Sequence, residues 1–461
     1  MNPPRESMTR RLACLLLLVP GALAAQQPAG SSALLARIDS IVTAEMARTQ
    51  TPGAAVAVEH HGQILLARGF GLENVESNSR TSAETVFRIG SVTKQFTAAA
   101  IMQLVEQGKI GLDDEMTKYL PDYPTQGNRV TIRHLLTHTS GIKSYTSLGP
   151  KFWSESSRLD LTNDQMLALF KDMPFDFKPG EKYAYNNSAF FLLGVIIEKV
   201  TGMPYRKYVE EKVFQPLGLA SSSYCDDRAI VPHRAAGYEA AAGTVSNAAP
   251  LSLNVPGAAG SLCSTVLDLV RWQRAFDEAR PVSAASRDQV RTPATLNDGK
   301  PTSYGFGVSL RPFESHRSFA HSGGINGFAS WLARYPDDEL TVTVLTNSGG
   351  GPAVRIGELV ARVVLGMPLP TMADLPVPAA NRAELVGKYE MSGTTLVVTD
   401  GPQGLDISIG GGAPGRLLYQ GNGEFRIKTM PDAIVRLDRA AGARQLVIVL
   451  GGSPMVAKRI P

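Results

Sequence analysis

The chain has 461 residues, of which 43% are hydrophobic and 19% are charged, and its formal net charge is +4. This composition is typical of globular proteins, and the length predicts two or three structural units with ample core. Because the charges are nearly balanced, the sequence gives no reason to expect nucleic acid or a membrane surface as a partner.

Residues 1–25 have the features of a secretory signal peptide. Arg10 and Arg11 precede an apolar run at 12–19, and small residues then lead to Gln26. The alternative, a membrane anchor, is disfavoured because this run is too short to cross a bilayer. We therefore expect a periplasmic or secreted protein with no membrane span after cleavage at residue 26 or a neighbour.

Two cysteines, Cys225 and Cys263, remain after removal of the leader. Their spacing is typical of neither a metal site nor a disulfide-rich scaffold. In an oxidising compartment they could form one disulfide, but we interpret them as separate buried thiols.

The expected fold begins with a helix and a β-hairpin. An amphipathic pattern predicts a helix over residues 32–48. Two apolar runs, 54–59 and 63–67, flank the turn His60-His61-Gly62 and predict a hairpin.

Ser91 lies where a short strand-like run gives way, through Gly90, to a strong helix pattern over residues 95–106. Residues three apart share a helix face, so Lys94 would lie one turn from Ser91. A serine hydroxyl beside a lysine amine is a nucleophile with a base. The helix N-terminus also favours a developing oxyanion.

A second Ser-x-x-Lys sequence shows that the spacing alone does not identify a catalytic pair. Ser140 and Lys143 have the same spacing, but Gly141 follows the serine directly and no apolar helix pattern continues from it. We therefore expect a loop at this second copy.

Helical patterns dominate residues 112–263, and strand patterns return at 318–321, 327–335 and 340–346 before a last helix at 352–365. Strands at both ends with helices between them predict an α+β domain. Its antiparallel sheet would be formed by the two ends of the domain and flanked by helices, with a mostly helical lobe inserted.

A proline-rich stretch separates this domain from a glycine-rich region of short strand patterns. The strand patterns of this small all-β region are at 394–399, 405–409, 424–428, 434–437 and 445–450. We expect four segments in all: a signal peptide (1–25), the α+β domain (32–366), a Pro-rich linker (367–382) and a small β-rich C-terminal domain (383–461).

Two further stretches supply groups that a serine nucleophile would need. Tyr185 and Asn187 place a phenol and an amide just before an apolar helix pattern. His321 is on a predicted strand and is followed by Gly323 and Gly324, whose lack of side chains lets a substrate lie against the backbone.

Together these stretches resemble the serine β-lactamases and penicillin-binding proteins, in particular the branch with class C β-lactamases, D,D-peptidases, D-aminopeptidases and family VIII esterases. The resemblance covers about residues 32–365. It rests on three motifs in a fixed order: Ser91-x-x-Lys94, Tyr185-x-Asn187 and His321-x-Gly323.

The resemblance implies a catalytic role for three side chains. Ser91 would be acylated by the substrate carbonyl, Lys94 would take the serine proton, and Tyr185 would relay that proton to the leaving group. The backbone N–H groups of Ser91 and Gly324 would form the oxyanion hole.

It also implies a substrate-binding role for the other motif residues. Asn187 would hydrogen-bond both Lys94 and the substrate, and Gly323 would lie beside the substrate with Gly324. His321 would steer a substrate carboxylate or the Tyr185 hydroxyl.

One position departs from the pattern of the family. His321 stands where β-lactamases usually carry lysine, and a neutral imidazole attracts a carboxylate less than a permanent ammonium does. The sequence therefore favours an exported serine hydrolase that forms an acyl-enzyme on Ser91. Its substrate would be an amide, peptide or ester, such as a D-amino-acid peptide or a small ester, and cell-wall peptides are one candidate source.

Two alternatives remain at this stage: a class C-type β-lactamase that hydrolyses β-lactam rings, and a non-catalytic binding protein that retains the fold.

We expect no metal and no organic cofactor. His134 and His138 are four residues apart, as in some metal sites, but they have no acidic residue between them and no third ligand, so we assign them structural roles. The oligomeric state stays open.

Overall fold

The computed structural model describes residues 29–241, 243–370, 372–391, 393–438, 445–450 and 453–461. The predicted signal peptide lies outside these ranges. The helices are α1 (Ala29–Thr49), α2 (Thr93–Glu106), α3 (Ile132–Leu136), α4 (Pro150–Ser154), α5 (Asn163–Ala168), α6 (Asn187–Thr201), α7 (Tyr205–Val209), α8 (Gln215–Leu217), α9 (Val266–Asp277), α10 (Ala284–Val290), α11 (Ala353–Val364) and α12 (Ala379–Leu385).

The strands fall into a first group before residue 350 and a second group in the C-terminal region. The first group is β1 (Gly53–His60), β2 (Gln63–Asn74), β3 (Ser79–Arg80), β4 (Phe87–Arg88), β5 (Ser223–Tyr224), β6 (Tyr238–Ala241), β7 (Thr244–Asn247), β8 (Leu262–Ser264), β9 (Phe319–Ile325), β10 (Phe328–Tyr335), β11 (Leu340–Thr346) and β12 (Ser348–Gly349). The second group is β13 (Gly387–Met391), β14 (Thr394–Gly401), β15 (Gly404–Ile409), β16 (Gly415–Gly421), β17 (Glu424–Ile427), β18 (Met430–Asp438), β19 (Gln445–Leu450) and β20 (Ser453–Ile460).

The main sheet is antiparallel and joins the two ends of the α+β domain, as predicted. Its strand order is β3-β2-β1-β11-β10-β9, and β1 pairs with β11 from Ala54 opposite Thr346 to His60 opposite Leu340. The hairpin predicted around His60-His61-Gly62 is present, with β1 ending at His60 and residues 61–62 connecting it to β2. The expected α+β architecture is confirmed.

Strand β1 is apolar almost without interruption because both faces of the sheet are covered. Val56 and Val58 pack with α1 and α11 on one face. Ala55 and Ala57 face the other cluster, which includes α2, α9 and the inserted lobe. This second face is where the chemically interesting residues lie.

The lobe between α2 and β8 is mostly helical, as expected, and it surrounds α6. Most of α6 is buried; Asn186 caps its N-terminus by accepting from the Ala189 N–H, and the helix ends at Gly202 in a left-handed conformation (φ +69°). Two small three-stranded sheets, β4-β8-β5 and β12-β6-β7, fasten the lobe to the rest of the domain.

The interpretation of the two cysteines as separate thiols is wrong. Cys225 and Cys263 form a disulfide, with their Cα atoms 5.2 Å apart. They meet because β5 pairs with β8, where Ser223 lies opposite Cys263, and the Cys225 N–H donates to the Ser261 carbonyl. This pairing is tertiary, and the 38-residue separation gives no local sign of it.

The C-terminal β region is a closed eight-stranded barrel, β13 to β20. Closure comes from pairing of its first and last strands, with Lys388 opposite Ile460 and Glu390 opposite Lys458. The sequence patterns predicted five of these strands and missed β13, β16 and β20. The barrel has its own core, which includes Tyr389 and Val435.

The segment before the barrel lies against it. Gln420 accepts from the Ala373 N–H and donates to the Ala373 carbonyl. Helix α12 begins inside the predicted linker 367–382, and its last residue, Leu385, is fully buried in the barrel core. Arg48 of α1 donates to the carbonyl of Thr429 on the barrel.

Across the described ranges, no single helix is long and apolar enough to cross a membrane. Helix α6 and the segment Tyr205–Leu217 reach that composition only as a pair, across a bend of 81°.

Candidate active site

Ser91 is held at the start of α2 by an unusual backbone conformation at the preceding residue. Gly90 has φ +49°, and a Cβ atom there would lie 2.9 Å from the backbone nitrogen of Gly324. A side chain would be both strained and obstructed at this position. Glycine thus brings the backbone of β9 beside Ser91, which belongs to a short 3-10 helix (Gly90–Val92) that continues into α2.

Lys94 lies one helical turn further on, as predicted, and its side chain is fully buried. Its Nζ donates to three acceptors: Ser91 Oγ at 3.0 Å, Asn187 Oδ1 at 2.8 Å and the Ala259 carbonyl at 2.8 Å. Burial holds the pKa of Lys94 well below its ordinary value of 10.5. The lowered pKa favours the neutral amine. The lone pair of that amine can then face the Ser91 hydroxyl.

Tyr185 and Asn187 come from the chain just before and at the start of α6. The Tyr185 ring opens to the cleft, with 40% of the residue exposed, and Lys94 Nζ lies 4.8 Å from its centre. Desolvation raises the pKa of Tyr185 above its ordinary value, and hydrogen bonding with Ser91 opposes this rise. The phenol is therefore protonated at neutral pH and can donate a proton.

His321 is buried and lines a neighbouring cavity with Tyr185 and Tyr304, not the cavity over Ser91. Its Nδ1 lies 2.6 Å from the Ser322 carbonyl, which can only accept, so Nδ1 carries the proton. Nε2 then accepts from the Tyr304 hydroxyl at 2.8 Å. Burial first and the nearby Lys94 second lower the pKa of His321 to about 3, so the ring is neutral in the working pH range.

The family resemblance implied that His321 would steer a substrate carboxylate or the Tyr185 hydroxyl; the two rings are 6.0 Å apart, and no hydrogen bond joins them in the part of the chain that the structure describes. Both ring nitrogens of His321 are occupied by other partners. His321 thus positions Tyr304 and is too weak a cation to steer a carboxylate by charge.

His138 completes the wall behind Tyr185. It is fully buried, its ring centre is 4.3 Å from that of Tyr185 and 4.8 Å from that of Tyr304, and its Nδ1 accepts from the Asn186 N–H. His138 therefore supports the segment that carries Tyr185. His134, by contrast, closes the capping box of α3. Structural roles were predicted for both histidines, but the sequence did not indicate that His138 or Tyr304 lies beside the site.

The two glycines of the third motif behave differently. A Cβ atom at Gly323 would overlap the Ile89 carbonyl, so glycine is required for β9 to reach the strand before Ser91. A Cβ atom at Gly324 would meet nothing within 4 Å, so Gly324 faces open space beside Ser91. Its backbone is thus positioned to contact a substrate.

A cavity of about 380 Å³ opens over Ser91. Its walls combine the site residues Asn187 and Gly324 with apolar side chains and one carboxylate, Glu239. Within the described ranges, no group of three His, Cys, Asp or Glu side chains is arranged to hold a metal ion. The side chains present are those of nucleophilic chemistry at a carbonyl carbon.

A buried lysine paired with a serine at a helix start, beside a protonated tyrosine and a glycine backbone, is the arrangement that a serine hydrolase needs. The chain belongs to the Beta-lactamase family, which it matches over residues 38–365. The resemblance inferred from the three motifs is thereby confirmed.

Individual relatives agree with this placement. Penicillin-binding protein 4* of Bacillus subtilis strain 168 is 30% identical over 78% of this chain and 84% of its own length. The D-aminopeptidase of Gluconobacter oxydans strain 621H is 27% identical over 78% and 67%, respectively. The solved octameric penicillin-binding protein homologue from Pyrococcus abyssi is 26% identical and covers 92% of this chain and 100% of that chain, with a TM-score of 0.68.

Proposed function

We propose that this protein is an exported serine hydrolase that forms an acyl-enzyme on Ser91 and cleaves an amide or peptide bond of a substrate containing a D-amino acid. Small esters would be accepted as less demanding substrates. The observation that carries the proposal is the fully buried Lys94, whose Nζ is 3.0 Å from Ser91 Oγ and whose pKa is strongly lowered. Similarity to a D-aminopeptidase supports the substrate class.

Acylation would follow from these contacts. Neutral Lys94 takes the proton of Ser91 as Oγ bonds to the substrate carbonyl carbon, and the N–H groups of Ser91 and Gly324 bind the negative oxygen. Tyr185 gives its proton to the leaving nitrogen as the C–N bond breaks, and the proton on Lys94 restores Tyr185. Water then hydrolyses the ester on Ser91 and releases the acid.

Trapping the acyl-enzyme tests this proposal. The purified protein is mixed with a fluorescent penicillin or with a short-chain nitrophenyl ester, and intact mass and peptide mapping follow. We expect an adduct on the peptide that contains Ser91 and none in Ser91→Ala protein. Labelling that persists in Ser91→Ala, or no labelling by any acylating probe, would contradict the proposal and favour a non-catalytic binding protein.

The same experiment separates a peptidase from a β-lactamase. A penicillin adduct that persists for hours indicates a penicillin-binding peptidase, because deacylation of the β-lactam product is slow. Rapid turnover of a chromogenic cephalosporin would indicate a β-lactamase instead. The neutral His321, bound to Tyr304, favours the first outcome because it offers no permanent cation to a β-lactam carboxylate.

Export is proposed from the leader sequence at residues 1–25. When the full chain is expressed in a bacterium with a periplasm, we expect the periplasmic or secreted form to begin at residue 26 or a neighbour. N-terminal sequencing of each cell fraction checks this. Recovery of only uncleaved protein from the cytoplasm would contradict it.

A further inference from the structure

The cavity over Ser91 carries a single charged side chain. Glu239 on β6 lines it together with Ser91, and no lysine, arginine or histidine is among its described lining residues; Lys94 lies behind the wall, hydrogen-bonded to Ser91 and Asn187. Most of the other lining is apolar or uncharged, including Trp153, Leu251, Val255, Pro256 and Ile325. The cavity therefore presents a negative charge against an otherwise uncharged wall.

The Glu239 carboxylate is fixed by its surroundings. Its Oε1 accepts from the backbone N–H of Gly327, in the turn between β9 and β10, at 3.1 Å. Strand β6 lies between β12 and β7, with Glu239 opposite Gly349 and Ser246. A Cβ atom at Gly349 would overlap both carboxylate oxygens, so the absence of a side chain at that position makes room for the carboxylate.

This carboxylate has only one neutral donor among the described residues, and it forms no ion pair with any of them. A partly buried carboxylate is costly to desolvate unless a cation or several donors compensate. A cationic group on the substrate could therefore supply the counter-charge that Glu239 lacks among the described residues. A negatively charged acyl group would be repelled from the same wall.

We propose that Glu239 is a specificity-determining residue that binds a primary ammonium group on the acyl portion of the substrate. This inference rests on the proposed function, because it assigns the cavity over Ser91 to the acyl side of the cleaved bond. The ammonium has two possible sources: the free α-amine of an N-terminal residue, or the side-chain amine of a basic residue. Both supply the same charge, and the experiment separates them.

The kinetic test compares substrates that differ only in the amine. D-Phenylalanine p-nitroanilide is paired with its desamino analogue, 3-phenylpropionyl p-nitroanilide. N-Acetyl-D-lysine p-nitroanilide is paired with N-acetyl-D-norleucine p-nitroanilide. For each pair the ratio of kcat/KM is measured in the unaltered protein, in Glu239→Gln and in Glu84→Gln, whose exposed carboxylate does not line the cavity.

We expect Glu239→Gln to lower one of these two ratios by roughly tenfold to a hundredfold, since a charged hydrogen bond is lost. Glu84→Gln leaves both ratios unchanged. A fall in the phenylalanine ratio identifies an α-amine as the ligand, and a fall in the lysine ratio identifies a side-chain amine. Equal ratios in Glu239→Gln and the unaltered protein would overturn the inference.

A binding measurement needs no turnover and so separates the failure of this inference from that of the proposed function. In Ser91→Ala protein, calorimetry gives the Kd of D-phenylalaninamide and of N-acetyl-D-lysinamide, with and without Glu239→Gln. We expect one of the two ligands to bind at least about tenfold more weakly to the double variant. Unchanged affinity for both would overturn the role of Glu239, whether or not Ser91 is acylated.

Discussion

Two segments of this chain share the Ser-x-x-Lys spacing, yet only one of them brings the lysine to the serine. Ser91 and Lys94 are joined by a 3.0 Å hydrogen bond at the start of a 14-residue helix. Ser140 and Lys143 lie in a loop, as predicted, and Lys143 turns to Asp176 at 2.8 Å. The Ser-x-x-Lys spacing brings the two side chains together only where the segment is helical, because three residues then span about one turn.

The second difference is the environment that distant segments provide. Lys94 is enclosed by Asn187 from α6 and by the Ala259 carbonyl, and burial lowers its pKa. The side chain of Lys143 is 31% exposed and is paired with a carboxylate. Lys94 is therefore suited to act as a base, because the fold removes its amine from water without offering it a negative charge.

The largest loss of activity is expected for Ser91→Ala. We expect kcat/KM for a D-amino-acid anilide to fall roughly 10³-fold or more, since the nucleophile is lost. Ser140→Ala is the matched control: Ser140 is fully buried and does not line the cavity over Ser91, so activity should be retained. Similar losses in both variants would contradict the assignment of the nucleophile.

The lysines give the next largest contrast. We expect Lys94→Met to lower kcat/KM by roughly 10²- to 10⁴-fold through loss of the base. Thermal unfolding should show that the fold survives, because an apolar side chain of similar size can replace a buried amine.

Lys143→Met is the control for that variant. Its exposed ion pair with Asp176 is worth less than about 1 kcal/mol, so both activity and the unfolding midpoint should change little. Loss of activity in Lys143→Met that equals the loss in Lys94→Met would remove the distinction between the two copies.

The disulfide also bears on the environment of Lys94, because it holds the segment that contains Ala259, whose carbonyl accepts from Lys94. Strand β8 follows that segment, and Cys263 on β8 is bonded to Cys225. Replacing both cysteines by alanine should lower the free energy of unfolding by about 2–4 kcal/mol under non-reducing conditions. Urea unfolding measures this, and a thiol assay of the denatured, unreduced protein should detect no free thiol from this pair. A full thiol signal would contradict the disulfide.

The pH dependence of acylation tests the environment of Lys94. The base must be neutral, so its lowered pKa keeps activity at neutral pH, and kcat/KM should fall about tenfold per pH unit below that pKa. Because the pKa of Tyr185 is raised, no alkaline loss from this phenol is expected below about pH 10. Stopped-flow ester hydrolysis from pH 4 to 10 checks both limbs, and an alkaline limb near pH 8 would contradict the role of Tyr185.

The smallest effect concerns the support behind the site. Tyr304→Phe removes the donor to His321 Nε2 and leaves a buried acceptor unpaired, which should cost about 1–2 kcal/mol of stability. Tyr183→Phe is the control, since the Tyr183 hydroxyl makes no hydrogen bond with the part of the chain that the structure describes. Urea unfolding compares the two, and equal stability would contradict the hydrogen bond to His321.

Much of the α+β domain was accessible from the sequence because its signals are local. Apolar runs and turn residues predicted β1, β2, β10 and β11, and the first two motifs predicted that Lys94 and Asn187 lie close to Ser91. The motifs lie at helix starts and on a strand that local sequence patterns reveal, so their positions in the fold could be predicted.

What the sequence did not reveal depends on pairings between distant residues. Cys225 meets Cys263 only through β5 and β8, and barrel closure depends on Lys388 lying opposite Ile460. Tyr304 and Glu239 belong to no motif, so nothing near them in the sequence indicated that they approach the site. Such contacts are set by tertiary structure and have no local signature.

The pairing of β1 with β11 also constrains how the chain can fold. Strand β1 lies near the start of the domain, but it has one hydrogen-bonded edge that stays open until β11 is available. Contacts of such high sequence separation slow folding, because the long intervening loop must close first. Strand β9, which brings Gly324 beside Ser91, joins the same sheet through β10. Ser91 therefore lies near the start of the domain sequence, whereas Gly324 takes its place beside it only when the late strands β9, β10 and β11 have joined the sheet.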